Sequence, residues 1–197
     1  MSAPRNQPGR VTFRPVTPSR WKDLETLFGK HGACAGCWCM WWRLPRPEFN
    51  AKRGAGTKRS LKRLVTEGKV PGVLAYVDGV PAAWCSIAPR RQFPGLERSR
   101  VLAPVDDTPV WSAVCFFVAR PFRRQGLTAK VLAASTEHAH RRGARVVEGY
   151  PVDMRGKVSP DPWVYTGLLP AFIQAGFVEV ARRSPTRPIM RHVAKGD

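Results

Sequence analysis

Two short stretches of this 197-residue chain carry residue types whose spacing could do chemistry. The first is Arg123-Arg124-Gln125-Gly126-Leu127-Thr128, which follows an apolar run ending at Val118 and opens a segment of helical spacing. Helix starts leave backbone N–H groups without internal partners and carry partial positive charge, so a glycine turn flanked by arginines there can hold a phosphate. A Walker-type loop is excluded by the missing Gly-Lys-Ser/Thr, and a dinucleotide fingerprint by the missing first glycines. The second stretch runs from His31 to Arg43 and contains Cys34, Cys37, Cys39, Trp38, Trp41 and Trp42. Its three indoles offer flat apolar walls or a cation-stacking surface for an amine or aromatic group, or else a plug for the edge of the core. His31 and the three thiols are soft ligands, but they crowd one segment instead of forming two separated pairs. No metal is expected.

The elements that must position these stretches follow from periodicity. Val11 to Val16 alternates as a short strand that Pro15 pushes toward an edge. Thr17-Pro18 reads as a helix cap, and Trp21, Leu24, Leu27 and Phe28 recur at helical spacing until Gly29 to Gly32. Asn50 to Arg59 reads as a basic linker, and Leu61, Leu64 and Val65 mark a second helix stopped by Gly68. Gly72 to Val77 and Pro81 to Ala88 flank Asp78-Gly79 as a hairpin. Arg90 to Thr108 is a long polar connection with one helical turn at Leu96-Glu97-Arg98. The strand Val110 to Val118 and its turn lead into a helix ending at Arg141-Arg142-Gly143. A strand at Ala144 to Tyr150, an irregular loop at Pro151 to Pro162, a helix over Tyr165 to Ala175 interrupted by Pro170, and strands at Val178 to Ala181 and Ile189 to Val193 complete the order.

The length suits one domain, expected over residues 11–197, with Met1 to Arg10 frayed. The 33 Lys and Arg against 14 Asp and Glu give a formal charge of +19. This excess favours anionic partners, but it is scattered through Arg90-Arg91, Arg123-Arg124, Arg141-Arg142 and Arg182-Arg183, so direct nucleic-acid binding is not favoured. The apolar runs are strand-length and the N-terminus lacks a signal-peptide core, so no membrane span is expected and the expected location is the cytoplasm. Five cysteines then read as thiols.

The strand ending at Val118, the turn Arg123 to Thr128 and the later Ala175-Gly176-Phe177 resemble the GNAT N-acetyltransferases, whose motif is R/Q-x-x-G-x-G/A after a central strand. The Cys/Trp segment resembles one found in a bacterial GNAT-like group. The resemblance implies an α/β (α+β) fold with a mixed, mostly antiparallel central sheet, helices on its faces and splayed central strands. It implies acetyl-CoA as co-substrate, its pyrophosphate against the backbone of Arg123, Arg124, Gln125, Gly126, Leu127 and Thr128. Thr128 stands where the family has Gly or Ala. Backbone groups of Phe116, Phe117 and Val118 would bind the pantetheine and the thioester carbonyl, and a donor there would stabilise the developing oxyanion.

Acetyl transfer needs a neutral amine and a proton for the leaving thiol. Glu148 is the first candidate base because its strand should border the cleft, ahead of Asp153, Asp106 and Asp107. The family's acid is a Tyr four residues before the Gly of the Gly-Phe pair, and here that position is Phe172, which cannot donate. Tyr165 is the substitute acid, with Tyr150 as another. Cys115 could form an acetyl-enzyme, although a buried core thiol is the commoner role. Trp38, Trp41, Trp42, Tyr150 and Asp153 are the expected acceptor-binding residues. The function expected is acetyl transfer from acetyl-CoA to a small-molecule primary amine by direct attack, in a monomer or homodimer. A transferase for protein or aminoacyl-tRNA amines and a non-catalytic acyl-CoA-binding module are the alternatives.

Overall fold

The apolar runs pair into a single twisted sheet in the computed structural model, which describes residues 9–156 and 164–195. Its strands are β1 (Val11–Pro15), β2 (Gly72–Val77), β3 (Val80–Pro89), β4 (Val110–Val118), β5 (Val146–Gly149), β6 (Val178–Arg182) and β7 (Pro188–Val193), in the order β1-β2-β3-β4-β5-β7-β6. Pro15 is on an edge strand, where its missing N–H is tolerated. Every neighbouring pair is antiparallel except β4 and β5. The fold is therefore the mixed, mostly antiparallel sheet anticipated. Most of the N-terminal stretch expected to fray, and residues 157–162 of the expected loop, lie outside the described residues.

Helices cover both faces: α1 (Trp21–Phe28), α2 (Arg46–Lys52), α3 (Ala55–Thr66), α4 (Pro94–Glu97), α5 (Leu127–Arg141) and α6 (Leu169–Gln174). Leu24, Phe28, Trp38, Leu61 and Trp84 fill one core cluster, on the α1 and α3 face. Ala83, Ile87, Val131, Leu132 and Phe172 fill the other, under α5 and α6. Both faces of β3 and β4 are thus covered, which explains why those strands read as continuous apolar runs.

Two helices differ from the sequence reading. The expected linker from Asn50 is instead the end of α2 and the start of α3, separated by Gly54 at φ +90°. Pro47 is in the first turn of α2, where its lost N–H costs nothing, and Glu48 pairs with Lys52 at 2.5 Å. The expected interruption at Pro170 is a helix start for the same reason, because α6 begins at Leu169. Residues 165–168 are not helical: Tyr165 and Thr166 form a turn closed by the Gly167 N–H on the Val164 carbonyl at 2.8 Å, and Leu168 bridges Val152.

Candidate active site

Four residues pair β4 with β5, Val110 to Ala113 against Val146 to Gly149. Beyond Ala113 the two strands part, and the second half of β4 loses its neighbour. The β3–β4 register also shifts between Ser86 and Ile87, leaving Val114 as an extra residue on β4. Such a bulge re-aims the side chains beyond it, and here Val114 and Cys115 both join the Trp84 cluster while Phe116 joins the opposite one.

The chain refills part of this gap with its own backbone. Phe116 N–H donates to the Tyr165 carbonyl at 2.7 Å, Val152 N–H to Gly167 at 2.8 Å, and Leu169 N–H to Val152 at 3.0 Å. Gly167 is at φ +88°, and a Cβ there would strike Phe172 and Phe116. The structure therefore brings Tyr165 to the strand expected to bind the thioester, with its carbonyl on the amide of Phe116. A thioester carbonyl can reach that amide only when residues 165–168 release it.

At the end of β4 the Arg123 guanidinium donates to the Val118 carbonyl at 3.0 Å, and Gln125 donates to Pro121 at 3.1 Å, fixing the turn from both sides. Arg124 and Gly126 are both left-handed, at φ +61° and +70°. Gly126 is the residue preceding α5, which has no side-chain cap, so the Leu127 and Thr128 N–H groups point out without a partner among the described residues. Nothing lies within 4 Å of where a Gly126 Cβ would stand. This open, uncapped, doubly arginine-flanked helix start fits a pyrophosphate.

A family model described as Acetyltransferase (GNAT) family matches residues 38–152, more than half of the chain. The chain belongs to the GNAT acetyltransferases. No curated protein matches it significantly. Among solved structures, a GNAT-family acetyltransferase from Streptococcus agalactiae is similar over 94% of this chain and 96% of its own, with 10% identity and TM-score 0.56. The aminoglycoside N-acetyltransferase AAC(6')-Iy in complex with CoA covers 91% and 95%, with 13% identity and TM-score 0.54. PaiA N-acetyltransferase from Thermoplasma acidophilum in complex with coenzyme A covers 94% and 99%, with 9% identity and TM-score 0.52. At these identities the likeness is one of fold.

The acid–base candidates separate clearly. Glu148, 1% exposed, accepts from Arg191 Nε and Nη2 on Oε1, at 2.9 and 2.8 Å, and from Tyr150 Oη and Arg90 Nη1 on Oε2, at 2.9 and 3.5 Å. A carboxylate has about four lone-pair sites. All are engaged, and Glu148 is the hub of a buried ion network. Tyr150 is equally committed, to Glu148, Ser112 and Arg90, and burial pushes its phenol pKa up. Asp106 pairs with Arg191, whose guanidinium holds its carboxyl below the usual range. Asp153 pairs with Arg182 at 2.8 Å and bonds to Thr186, placing it at the β6–β7 connection.

Tyr165 is different, being half-buried with no side-chain hydrogen bond among the described residues. Burial pushes its hydroxyl up to about 12, with Cys115 adding to the rise and the charges of Arg187 and Arg46 opposing it. Phe172, the residue in the family's acid position, is fully buried against Phe116 and Phe177.

The Cys/Trp segment divides between core and cleft. Trp38 is buried, stacked on Trp21 at 6.0 Å and edge-on to Phe28 at 5.4 Å, so it serves the core. Trp41 and Trp42 are half-buried and line a cleft of about 180 Å³ with Arg46, Phe49 and Arg98. Cys39 Sγ meets Cys115 Sγ at 3.3 Å and accepts from Trp84 Nε1 at 3.1 Å. Among the described residues no group of three or more His, Cys, Asp or Glu is arranged to hold a metal ion, and no helix is long and apolar enough to cross a membrane. Arg90, Arg191, Ser112 and Arg187 were missed by sequence reasoning. Only their types were visible, because apart from Glu97, 7 residues from Arg90, their partners are 12 to 85 residues away.

Proposed function

We propose that this GNAT enzyme transfers the acetyl group of acetyl-CoA to a primary amine of a small molecule by direct attack on the thioester. The observation that carries the reading is the juxtaposition of Tyr165 with the Phe116 amide on the splayed half of β4. When bound, acetyl-CoA supplies an activated acyl carbon and a thiol leaving group. The α5 turn holds its pyrophosphate, and the Phe116 amide, once released by Tyr165, donates to the developing oxyanion. The amine nitrogen forms the new C–N bond as the C–S bond breaks, with that electron pair going to sulfur. The Tyr165 phenol, still protonated at neutral pH, gives its proton to the sulfur, and the surplus amine proton leaves to water, from which the phenolate takes its proton back.

Burial raises the Cys115 pKa, although its bond with Cys39 opposes the rise, so little thiolate is present. That supports direct attack over an acetyl-enzyme. The cleft beside Trp41 is small, which favours a small acceptor over a protein surface. Glu148 enters as a positioning group for Tyr150 and β7. The test is thiol release from acetyl-CoA across a panel of small amines by the full chain and by Tyr165→Phe. The variant is expected to lose turnover at least tenfold with its KM for acetyl-CoA kept. An unchanged rate removes Tyr165 as acid, and tight CoA binding with no turnover for any amine favours a binding module.

A further inference from the structure

Arginines in this protein fall into two groups by their partners. Arg90, Arg182 and Arg191 each pair with at least one carboxylate. Arg46, Arg98 and Arg187 pair with none among the described residues, although acidic residues partner their neighbours: Glu48 goes to Lys52 and Glu97 to Arg90. Other arginines also lack a carboxylate, Arg43, Arg53 and Arg183 among them, but those donate to backbone or amide oxygens away from the cleft. Arg46 and Arg98 line the Trp41–Trp42 cleft, which has no acidic residue in its wall. Arg187 donates to Thr166 at 3.1 Å, and Arg187 and Arg46 are the two charges that lower the Tyr165 pKa. Tyr165 in turn holds the Phe116 amide, so Arg187, bonded to the next residue Thr166, stands beside the transfer site.

From this arrangement we infer that the cleft binds a carboxylate on the acceptor, making the substrate class an amino acid or similar amine–carboxylate. This rests on the transfer centre proposed above. Arg187 is half-buried and burial lowers its pKa, so it gains from an anion nearby, while Arg46 and Arg98 are exposed and keep their N–H edges accessible to a ligand in the cleft. Arg46 covers the Trp41 ring, its central carbon 3.4 Å from the centroid. A guanidinium stacked in this way keeps its N–H edge for the in-plane fork that matches a carboxylate. Trp41, Trp42 and Phe49 provide walls for the apolar body of the same molecule. The local cations have a second effect, since they disfavour a protonated amine nearby. They therefore help supply a neutral nucleophile in a site whose nearest buried carboxylate, Glu148, is fully engaged.

The test uses the full chain with acetyl-CoA, comparing L-phenylalanine with L-phenylalaninamide as acceptors by thiol release. A charge-assisted contact is expected to favour the carboxylate probe about tenfold or more in kcat/KM. The double substitution Arg46→Gln with Arg98→Gln is expected to abolish that preference and leave the KM for acetyl-CoA unchanged. Equal kcat/KM for the two probes overturns the inference, and so does a preference that survives both substitutions. If neither probe is acetylated, quenching of tryptophan fluorescence by phenylacetate against phenylacetamide decides. Saturable quenching by phenylacetate that the double variant loses supports the site, and its absence overturns it. Loss of CoA binding by calorimetry would instead refute the transferase reading, which keeps the two failures apart.

Discussion

Replacing Glu148 by Gln separates a proton acceptor from an ion-network hub. In the structure four donors converge on this carboxylate: Arg191 twice on Oε1, and Arg90 with Tyr150 on Oε2. Removing one partner of a buried pair typically costs about 3–5 kcal/mol, because an uncompensated charge remains. Gln keeps the shape and one acceptor oxygen, while its amide nitrogen faces a donor. Arg191 retains Asp106 at 2.6 Å and Arg90 retains Glu97 at 2.9 Å, so neither guanidinium is stranded entirely. The lower end, about 3 kcal/mol, is therefore expected. For a chain of this size that lowers Tm by roughly 6–12 °C. Differential scanning calorimetry of wild type and Glu148→Gln, beside thiol-release kinetics on the folded protein, gives both readouts. A hub predicts a large Tm loss with most turnover per folded molecule kept. A Tm within about 1 °C of wild type with turnover reduced a hundredfold would refute the hub and restore Glu148 as general base.

Because the Phe116 amide is held by the Tyr165 carbonyl, cofactor binding should wait on release of residues 165–168. Stopped-flow binding of acetyl-CoA is expected to show an observed rate that saturates with concentration, and a rate rising linearly to high concentration would show that no such release is needed. Gly126→Val puts a β-branched residue at φ +70° and a side chain into the space left for a phosphate. Calorimetry should find CoA binding weakened at least tenfold, and unchanged affinity would remove the turn from the cofactor site. Burial, helped by neighbouring positive charges, depresses the His138 and His192 pKa values in the fold. The unfolded chain then binds more protons below about pH 6.5, so stability should fall as pH drops from about 7 to about 5. His192→Asn is expected to flatten that slope in Tm measurements, and an equal slope would refute the contribution of His192.

Local rules reached most of the scaffold and the turn before α5, because each signal lies within a few residues. The apolar run of β4, the glycine at the α5 start and the Asp78-Gly79 hairpin needed no knowledge of distant chain. The helix α2 escaped because prolines and glycines on both sides resemble a linker, and only Phe49 packing in the core with the Glu48–Lys52 pair shows otherwise. The bulge at Val114 has no glycine or proline to mark it, so it emerges only from the β3 register. The site's charges depend on the longest-range pairings. Glu148 looked available in sequence since nothing nearby opposes it, yet Arg191 is 43 residues away and Arg90 is 58. Arg46 and Arg187 looked like two more members of a scattered +19 excess. Carboxylates neutralise Arg90 and Arg191 inside the fold and leave Arg46 and Arg98 at the cleft without one among the described residues. For this GNAT chain, therefore, the informative property is where folding leaves an arginine without a carboxylate, and total charge conveys little of it.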